Sequence, residues 1–241
     1  MVGGKRLNGH SAAINPVPGD VTNVGDIVLR ANSIVGYYDL TLNQGSSNQI
    51  KPITTAGLQA VNVGDLNTAD LSQFGVLFFQ NPDNGGFSSI FINNLPKIRN
   101  FISAGGVFIL HDRNVSSASS VLPGTPGTIV RDFSDPANIN ILDNTTLVTN
   151  GPGGIITNTS LDGGNFSSHG WILASSVPAG AKGFLSTGDP THWVLYSYPF
   201  GQGTVMYSTI PLDFYLGGSG GIFTNMQNYA ANVVAYGNSV R

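Results

Sequence analysis

The stretch FGVLFFQNPDNGGFSSIFINNLPKIRNFISAGGVFILHD, residues 74–112, decides the fold. It opens on an unbroken apolar run, Val76-Leu77-Phe78-Phe79, and closes on another, Val107-Phe108-Ile109-Leu110. Short apolar runs bounded by turn formers read as strands buried on both faces. Between them Ile90, Phe91, Leu95, Ile98, Phe101 and Ile102 recur at three- and four-residue spacing. That periodicity predicts a helix over Ser88 to Ala104 with one apolar face. Pro96 falls inside the pattern and is expected to kink or split it, and Gly105-Gly106 ends it. Strand, helix, strand with short links is a βαβ unit, which calls for parallel pairing and a right-handed crossover.

Working outward, residues 1–24 read as an extended N-terminal segment with turn signals at Asn15-Pro16 and Pro18-Gly19. Residues 25–241 read as a single α/β domain. Gly25 to Ala31, Ile34 to Leu42 and Leu58 to Val63 are expected strands, and Asn43 to Thr55 an expected polar loop. Asp65 to Phe74 suggests a short helical turn capped by Asn67 or Thr68. Residues 115–160, rich in Ser, Thr, Pro, Gly and Asn, read as a long irregular insertion or a set of short strands, with short apolar pieces at Gly127–Val130 and Ile139–Leu142. Short strands are expected at 169–175 and 181–186. Trp193 to Tyr198 and Thr204 to Thr209 alternate around Pro199-Phe200-Gly201-Gln202-Gly203, the pattern of a hairpin. Ile222 to Tyr236 reads as a closing helix with Phe223, Met226, Tyr229, Val233 and Val234 inward.

Composition limits the chemistry. Hydrophobic residues make up 41% of the 241, enough for a real core. Charged residues make up only 10%, against about 25% in ordinary soluble domains. Asn, Ser, Thr, Gln and Gly must therefore wet the surface, and every acidic residue is Asp. The net charge of −3 is spread without runs. No basic patch is present for nucleic acid, and no polybasic anchor for a membrane surface. No apolar run reaches the roughly 18 residues of a membrane helix. With no Cys there is no disulfide framework, thiolate metal site or thiol nucleophile. The low charge, the Asn/Gly/Ser/Thr-rich loops, Asp without Glu and the lack of Cys together point to an extracellular or cell-surface bacterial protein. Met1 to Asp20 lacks the apolar core of a signal peptide. That leaves a removed signal, a longer parent chain or a C-terminal export signal as routes.

Phe74-Gly75-Val76-Leu77-Phe78-Phe79, the helix end Phe101-Ile102-Ser103-Ala104-Gly105-Gly106 and the strand Val107-Phe108-Ile109-Leu110-His111 resemble the class I glutamine amidotransferase-like fold, in its ThuA-like branch. The hairpin from Tyr198 to Thr209 resembles that family's late return. The resemblance covers roughly residues 25–238 with a weak middle. It implies a flavodoxin-like three-layer α/β domain with a mostly parallel central sheet, a late antiparallel hairpin and a long irregular insertion. It is also similar to domains of large secreted bacterial proteins that carry calcium repeats, although no such repeat occurs here. The family's nucleophilic Cys would follow Val107–Leu110, where this chain has His111, Asp112 and Arg113. The family's catalytic His would follow the hairpin, where this chain has Ile210 to Tyr215. A thioester mechanism needs a thiolate, so that chemistry is excluded.

The candidate reactive groups are His111, Asp112, His169 and Asp213. The first two sit at the C-terminal end of a parallel strand, where open α/β sheets receive ligands. Imidazole and carboxylate suit divalent cations, so His111, Asp112, His169, Asp162 and Asp213 are a possible metal set. Each has a plainer reading: Asp112 pairing with Arg113 to close a loop, His111 capping backbone, His169 satisfying loop carbonyls. Asp83-Asn84, Asp132 with Asp135, Asp143-Asn144 and Asp162 with Asn165 offer oxygens for calcium, but such pairs more often form turns. No phosphate loop, nucleophile elbow or His-Glu-x-x-His pattern occurs. The expectation is a non-catalytic structural, adhesive or ligand-binding domain taking a glycan or surface ligand. The alternatives are a cation-assisted hydrolase acting on sugars and a self-assembling filament or surface-layer subunit, since weak surface charge favours self-association.

Overall fold

The computed structural model describes residues 34–241 and, ahead of them, only two short strands, β1 (Leu7–Asn8) and β2 (Arg30–Ala31), paired antiparallel. Residues 1–33 and 34–241 are separate compact units. The expected lead-in over 1–24 and most of the strand expected at Gly25 to Ala31 lie outside the described residues.

In the larger unit the elements follow in the order β3 (Ile34–Asp39), α1 (Ile50–Thr55), β4 (Gln59–Asn62), β5 (Val76–Asn81), α2 (Ser89–Asn93), α3 (Leu95–Ser103), β6 (Val107–Asp112) and α4 (Ala118–Val121). The insertion carries β7 (Ile129–Arg131), β8 (Asn140–Ile141), β9 (Asn150–Gly151) and β10 (Gly154–Ile155). Then come β11 (Gly170–Leu173), β12 (Lys182–Ser186), β13 (His192–Phe200), β14 (Gly203–Ser208), α5 (Leu212–Leu216) and α6 (Gly221–Ser239).

β5 and β6 are buried at every position, as their unbroken apolar runs require. They pair in parallel with each other, and β3 and β14 flank them in parallel. The main sheet runs β4-β3-β5-β6-β14-β13-β11-β7. Its parallel part has the flavodoxin-like order, second strand, first, third, fourth, fifth, with a switch point between β3 and β5. From β13 outward the pairing is antiparallel.

The two faces of the sheet hold separate apolar cores. One packs Tyr37, Phe78, Ile109 and Met206 against α1, α5 and α6 through Ile53, Leu212, Met226, Tyr229 and Val233. The other packs Phe79, Phe108, Leu110 and Tyr207 against α2, α3 and α4 through Phe91, Ile98, Ile102 and Val121. This unit is thus a three-layer α/β domain with a mostly parallel sheet, a late antiparallel hairpin and an irregular middle.

The helix expected over Ser88 to Ala104 is two helices that meet at Asn94. Ser88 caps the first by accepting from the Phe91 N–H. Pro96 sits in the first turn of the second, where no amide donor is needed. The loop expected over Asn43 to Thr55 is instead a single 3₁₀ turn followed by α1. Its start is a capping box, with Ser46 accepting from backbone and Gln49 returning to the Ser46 N–H. The cap of the turn at Leu71–Gln73 is Asp70, not Asn67 or Thr68.

Candidate functional site

Strand alternation separates His111 from Asp112. Neighbouring strand residues point to opposite faces, so His111 faces α6 and Asp112 faces the α3 layer. On the α6 side, the register sets Asp39 opposite Gln80, Gln80 opposite His111 and His111 opposite Ser208. This is a buried polar row across the C-terminal ends of four parallel strands. Gln80 donates to Asp39 Oδ2 at 2.6 Å. His111 Nε2 lies 3.0 Å from the Tyr229 hydroxyl, which donates to Ser208 Oγ at 3.2 Å. Tyr229 has one proton to give, so it accepts from His111 Nε2–H, and His111 Nδ1 carries the lone pair. Among the described residues, neither that Nδ1 nor Gln80 Oε1 has a partner. Burial between Phe78 and Tyr229 pulls the imidazole down to about 3, so the ring is neutral at physiological pH.

Asp112 is fully buried and accepts four hydrogen bonds: Asn81 Nδ2 at 2.9 Å, Asn114 N at 2.8 Å, Val115 N at 3.0 Å and Tyr207 Oη at 3.0 Å. Burial raises its pKa while these donors lower it. The bonds fold the chain sharply after β6, at the turn where the amidotransferase resemblance would place a nucleophile. Val115, buried, sits there at φ 59°, a strained value for a β-branched residue. The Asp112–Arg113 ion pair expected from sequence is absent. Arg113 instead grips Asp213 through Nε at 3.3 Å and Nη2 at 2.5 Å. Burial raises the Asp213 pKa against the pull of Arg113.

His169 reaches the same neighbourhood by its backbone partner. Its Nδ1 lies 2.8 Å from the Arg113 carbonyl, which can only accept, so Nδ1 holds the proton and Nε2 the lone pair. Burial draws its pKa down to about 4. Its ring meets Phe133 and Phe166 edge-on at centroid distances of 5.1 and 5.8 Å. Both phenylalanines are about two-fifths exposed, and Arg131 lies over Phe133 at 5.0 Å.

The five possible metal ligands are not brought together. His111 belongs to the polar row under α6, and Asp112 is saturated on the other face. His169 and Asp213 meet through Arg113, while Asp162 is spent on the Ile139 N–H at 2.7 Å. Among the described residues, no three His, Asp, Glu or Cys side chains gather to hold an ion. The four candidate reactive groups do not converge on one point.

The loop carboxylates proposed for calcium mostly close turns. Asp132, Asp143 and Asp83 each accept from the N–H two residues on. Asp39, Asp65, Asp70 and Asp189 do the same. In most of these the i+2 side chain, Ser, Thr or Asn, binds the same carboxylate. A carboxylate one carbon from the backbone makes this turn and a longer one does not, which favours Asp over Glu at these positions.

Sequence reading missed a second feature beside these loops. Trp171 on β11 and His192 at the start of β13 stack flat, at 3.6 Å and 3°. Trp171 Nε1 donates to Asp132 Oδ2 at 2.9 Å. With Asp135, Ser168 and Asp189 they line a cleft of about 210 Å³. Only the paired Asp-x-Ser and Asp-x-Thr turns at 132 and 189 hint at it in the sequence. A larger hollow, about 600 Å³, opens beside Leu71, Phe74, Gly75 and α3, at the N-terminal ends of β5 and β6. Ligands of open α/β sheets bind at the opposite ends, so the Trp171 cleft and the His169 surface are the better candidates.

No protein-family model matches the chain, and no curated protein matches it in sequence. Among solved structures it is similar to a cytoplasmic protein from Salmonella typhimurium at 11% identity and a TM-score of 0.49, covering 95% of this chain and 93% of that one. It is similar to an exo-β-1,4-mannosidase from Opitutaceae bacterium strain TAV5 at 13% identity and a TM-score of 0.49, covering 78% of this chain. A β-galactosidase from Bacillus circulans is 16% identical, with a TM-score of 0.41 over 80% of this chain. The chain spans 30% of the length of each of these two glycosidases.

Proposed function

We propose that the chain is a non-catalytic ligand-binding domain of a secreted or surface-displayed protein. It binds through the loops at 131–135 and 166–171. What supports the reading is that the groups expected to do chemistry are already spent inside the fold. Asp112 takes four hydrogen bonds, Asp213 is gripped twice by Arg113, and His111 is 1% exposed. The same loops expose Phe133 and Phe166, and exposed aromatics beside arginine are what interfaces use as anchors. The amide-rich, weakly charged composition supports display outside the cell.

A second reading, a hydrolase, keeps one specific observation: His169 is neutral and its Nε2 lone pair has no partner among the described residues. One pair of measurements decides between them. On a printed array of glycans and peptides, the chain is expected to be captured, and F133S/F166S to lose that capture with an unchanged melting midpoint. With chromogenic glycosides and esters, wild type and His169→Ala are expected to match the buffer rate. Turnover that disappears in His169→Ala overturns the non-catalytic reading.

A further inference from the structure

Arg131 ends β7 just past the C-terminal end of β6, beside the loop that carries His169. Its Nη1 donates to the Arg113 carbonyl at 2.9 Å and to the Asn114 carbonyl at 2.5 Å, and its Nη2 to Asn84 Oδ1 at 3.0 Å. A guanidinium has five N–H groups. Among the described residues, the Nε–H and one Nη2–H therefore have no acceptor. Nε and Nη2 form the fork that grips a carboxylate with two parallel bonds. Arg131 also has no ion-pair partner among the described residues. The carboxylates around it are committed elsewhere. Asp213 is on Arg113, Asp112 takes its four donors, and Asp132, next in the chain, turns to the Trp171 indole.

A second observation is independent of that charge. Asn114, 2% exposed, lies against the guanidinium, which takes its carbonyl. Among the described residues its Nδ2 has no partner. A buried donor without an acceptor is costly. An orphaned amide donor on the residue that anchors an unpaired guanidinium calls for an acceptor, and an anion supplies one. Phe133 stands under Arg131, its ring centroid 5.0 Å from the guanidinium carbon, and meets Phe166 and His169 edge-on at 5.2 and 5.1 Å. His169 Nε2, with its lone pair, adds one neutral acceptor beside the two exposed rings.

We propose that this surface binds an acidic sugar, with its carboxylate on the Arg131 fork, a hydroxyl on His169 Nε2 and the C–H face of its ring against Phe133 and Phe166. The inference rests on the ligand-binding reading above and names its ligand class. Apolar rings with a few placed polar groups are how small-ligand sites fix orientation. A neutral sugar would meet the rings and His169 but leave the cation unpaired. An aspartate or glutamate side chain of a peptide would meet the fork but carries no hydroxyl to give His169.

The test follows the His169 ring protons by NMR, assigned by their loss in His169→Gln, while methyl glucuronide is added at neutral pH. A saturable shift is expected, weakening as salt is raised. Methyl glucoside, which has a hydroxymethyl in place of the carboxylate, is expected to bind at least tenfold more weakly. N-acetyl-glutamate amide, a carboxylate without the sugar ring, is expected to do the same. Arg131→Gln is expected to weaken glucuronide at least tenfold and to leave the glucoside response unchanged. Should that variant lose its melting midpoint, Arg131→Lys, which keeps the charge without the fork, replaces it, with at least a threefold loss expected. An equal response to glucoside, an equal or stronger response to N-acetyl-glutamate amide, glucuronide binding unchanged in the Arg131 variant, or no saturable shift overturns the inference. Array capture that depends on Phe133 with no glucuronide response removes the acidic-sugar proposal and leaves the binding-module reading standing. Turnover dependent on His169 removes that reading, while the glucuronide and glucoside comparison still judges the Arg131 site.

Discussion

At Asp112 one side chain closes the turn after β6 and ties it to β5 and β14. Replacing it with Ala strands four donors in a buried place, and each unmet donor costs about 1–3 kcal/mol. Asp112→Ala is expected to lose at least about 3 kcal/mol in urea unfolding, allowing for partial relaxation. Asp112→Asn should lose less, because its carbonyl oxygen still accepts while its NH₂ faces the Val115 N–H. A loss below about 1 kcal/mol for the alanine variant would refute the role. His111 gives a pH prediction. Its folded pKa of about 3 lies below the ordinary 6.5, so the unfolded chain binds the proton more readily. The stability is complete above pH 6.5 and is lost as pH falls from there toward 3. The slope is at most about 1.4 kcal/mol per pH unit per histidine. His169 adds the same sign between 6.5 and about 4. Asp112 and Asp213, with raised values, act in the opposite sense on acidification. The difference between wild type and His111→Gln isolates the histidine. Parallel curves for the two across pH 6.5 to 4 would sink this assignment.

Among the elements, α6 does two jobs. Its apolar face packs Met226, Tyr229, Val233 and Val234 on the sheet. Its buried Asn232 holds the insertion, accepting from Gly153 N at 2.7 Å and donating to Val148 O at 3.2 Å and Gly154 O at 2.8 Å. Asn232→Ala is expected to cost about 2–3 kcal/mol. Hydrogen exchange should quicken over residues 146–156 while β5 and β6 keep their protection. Uniform acceleration across the sheet would instead mean that Asn232 supports the whole core. Elements with one strong periodicity were legible from sequence, including β5, β6, the hairpin and α6. The helix α1 was not. It is six residues long with Pro52 inside, and only the Ser46–Gln49 capping box announces it. The site was less legible still. His111 and Asp112 look like partners in sequence, yet strand alternation turns them to opposite faces. Trp171 and His192, twenty-one positions apart in number, stack because β11 pairs with β13.

At the scale of the molecule, the acidic side chains among the described residues serve turn geometry more than charge. With Asp83, Asp132 and Asp143 already bonded to their own loops, calcium must compete with bonds the fold has made. Among the described residues, no three Asp, Glu, His or Cys side chains gather to hold an ion. Calcium or a chelator is therefore expected to leave the melting midpoint unchanged within error. A clear upward shift with calcium would show a site formed elsewhere in the chain. No described helix is long and apolar enough to cross a membrane.

The sequence by itself determined the layer architecture and the parallel centre, because apolar periodicity and turn formers act locally and need no partner to be read. It also determined that no thiol chemistry runs here. Only the tertiary structure decided where the side chains at the strand ends point and what they bond. Pairing register and loop return bring together residues whose separation along the chain carries no such signal. The same contacts bury Asp112, hold Asp213 on Arg113 and stack Trp171 on His192.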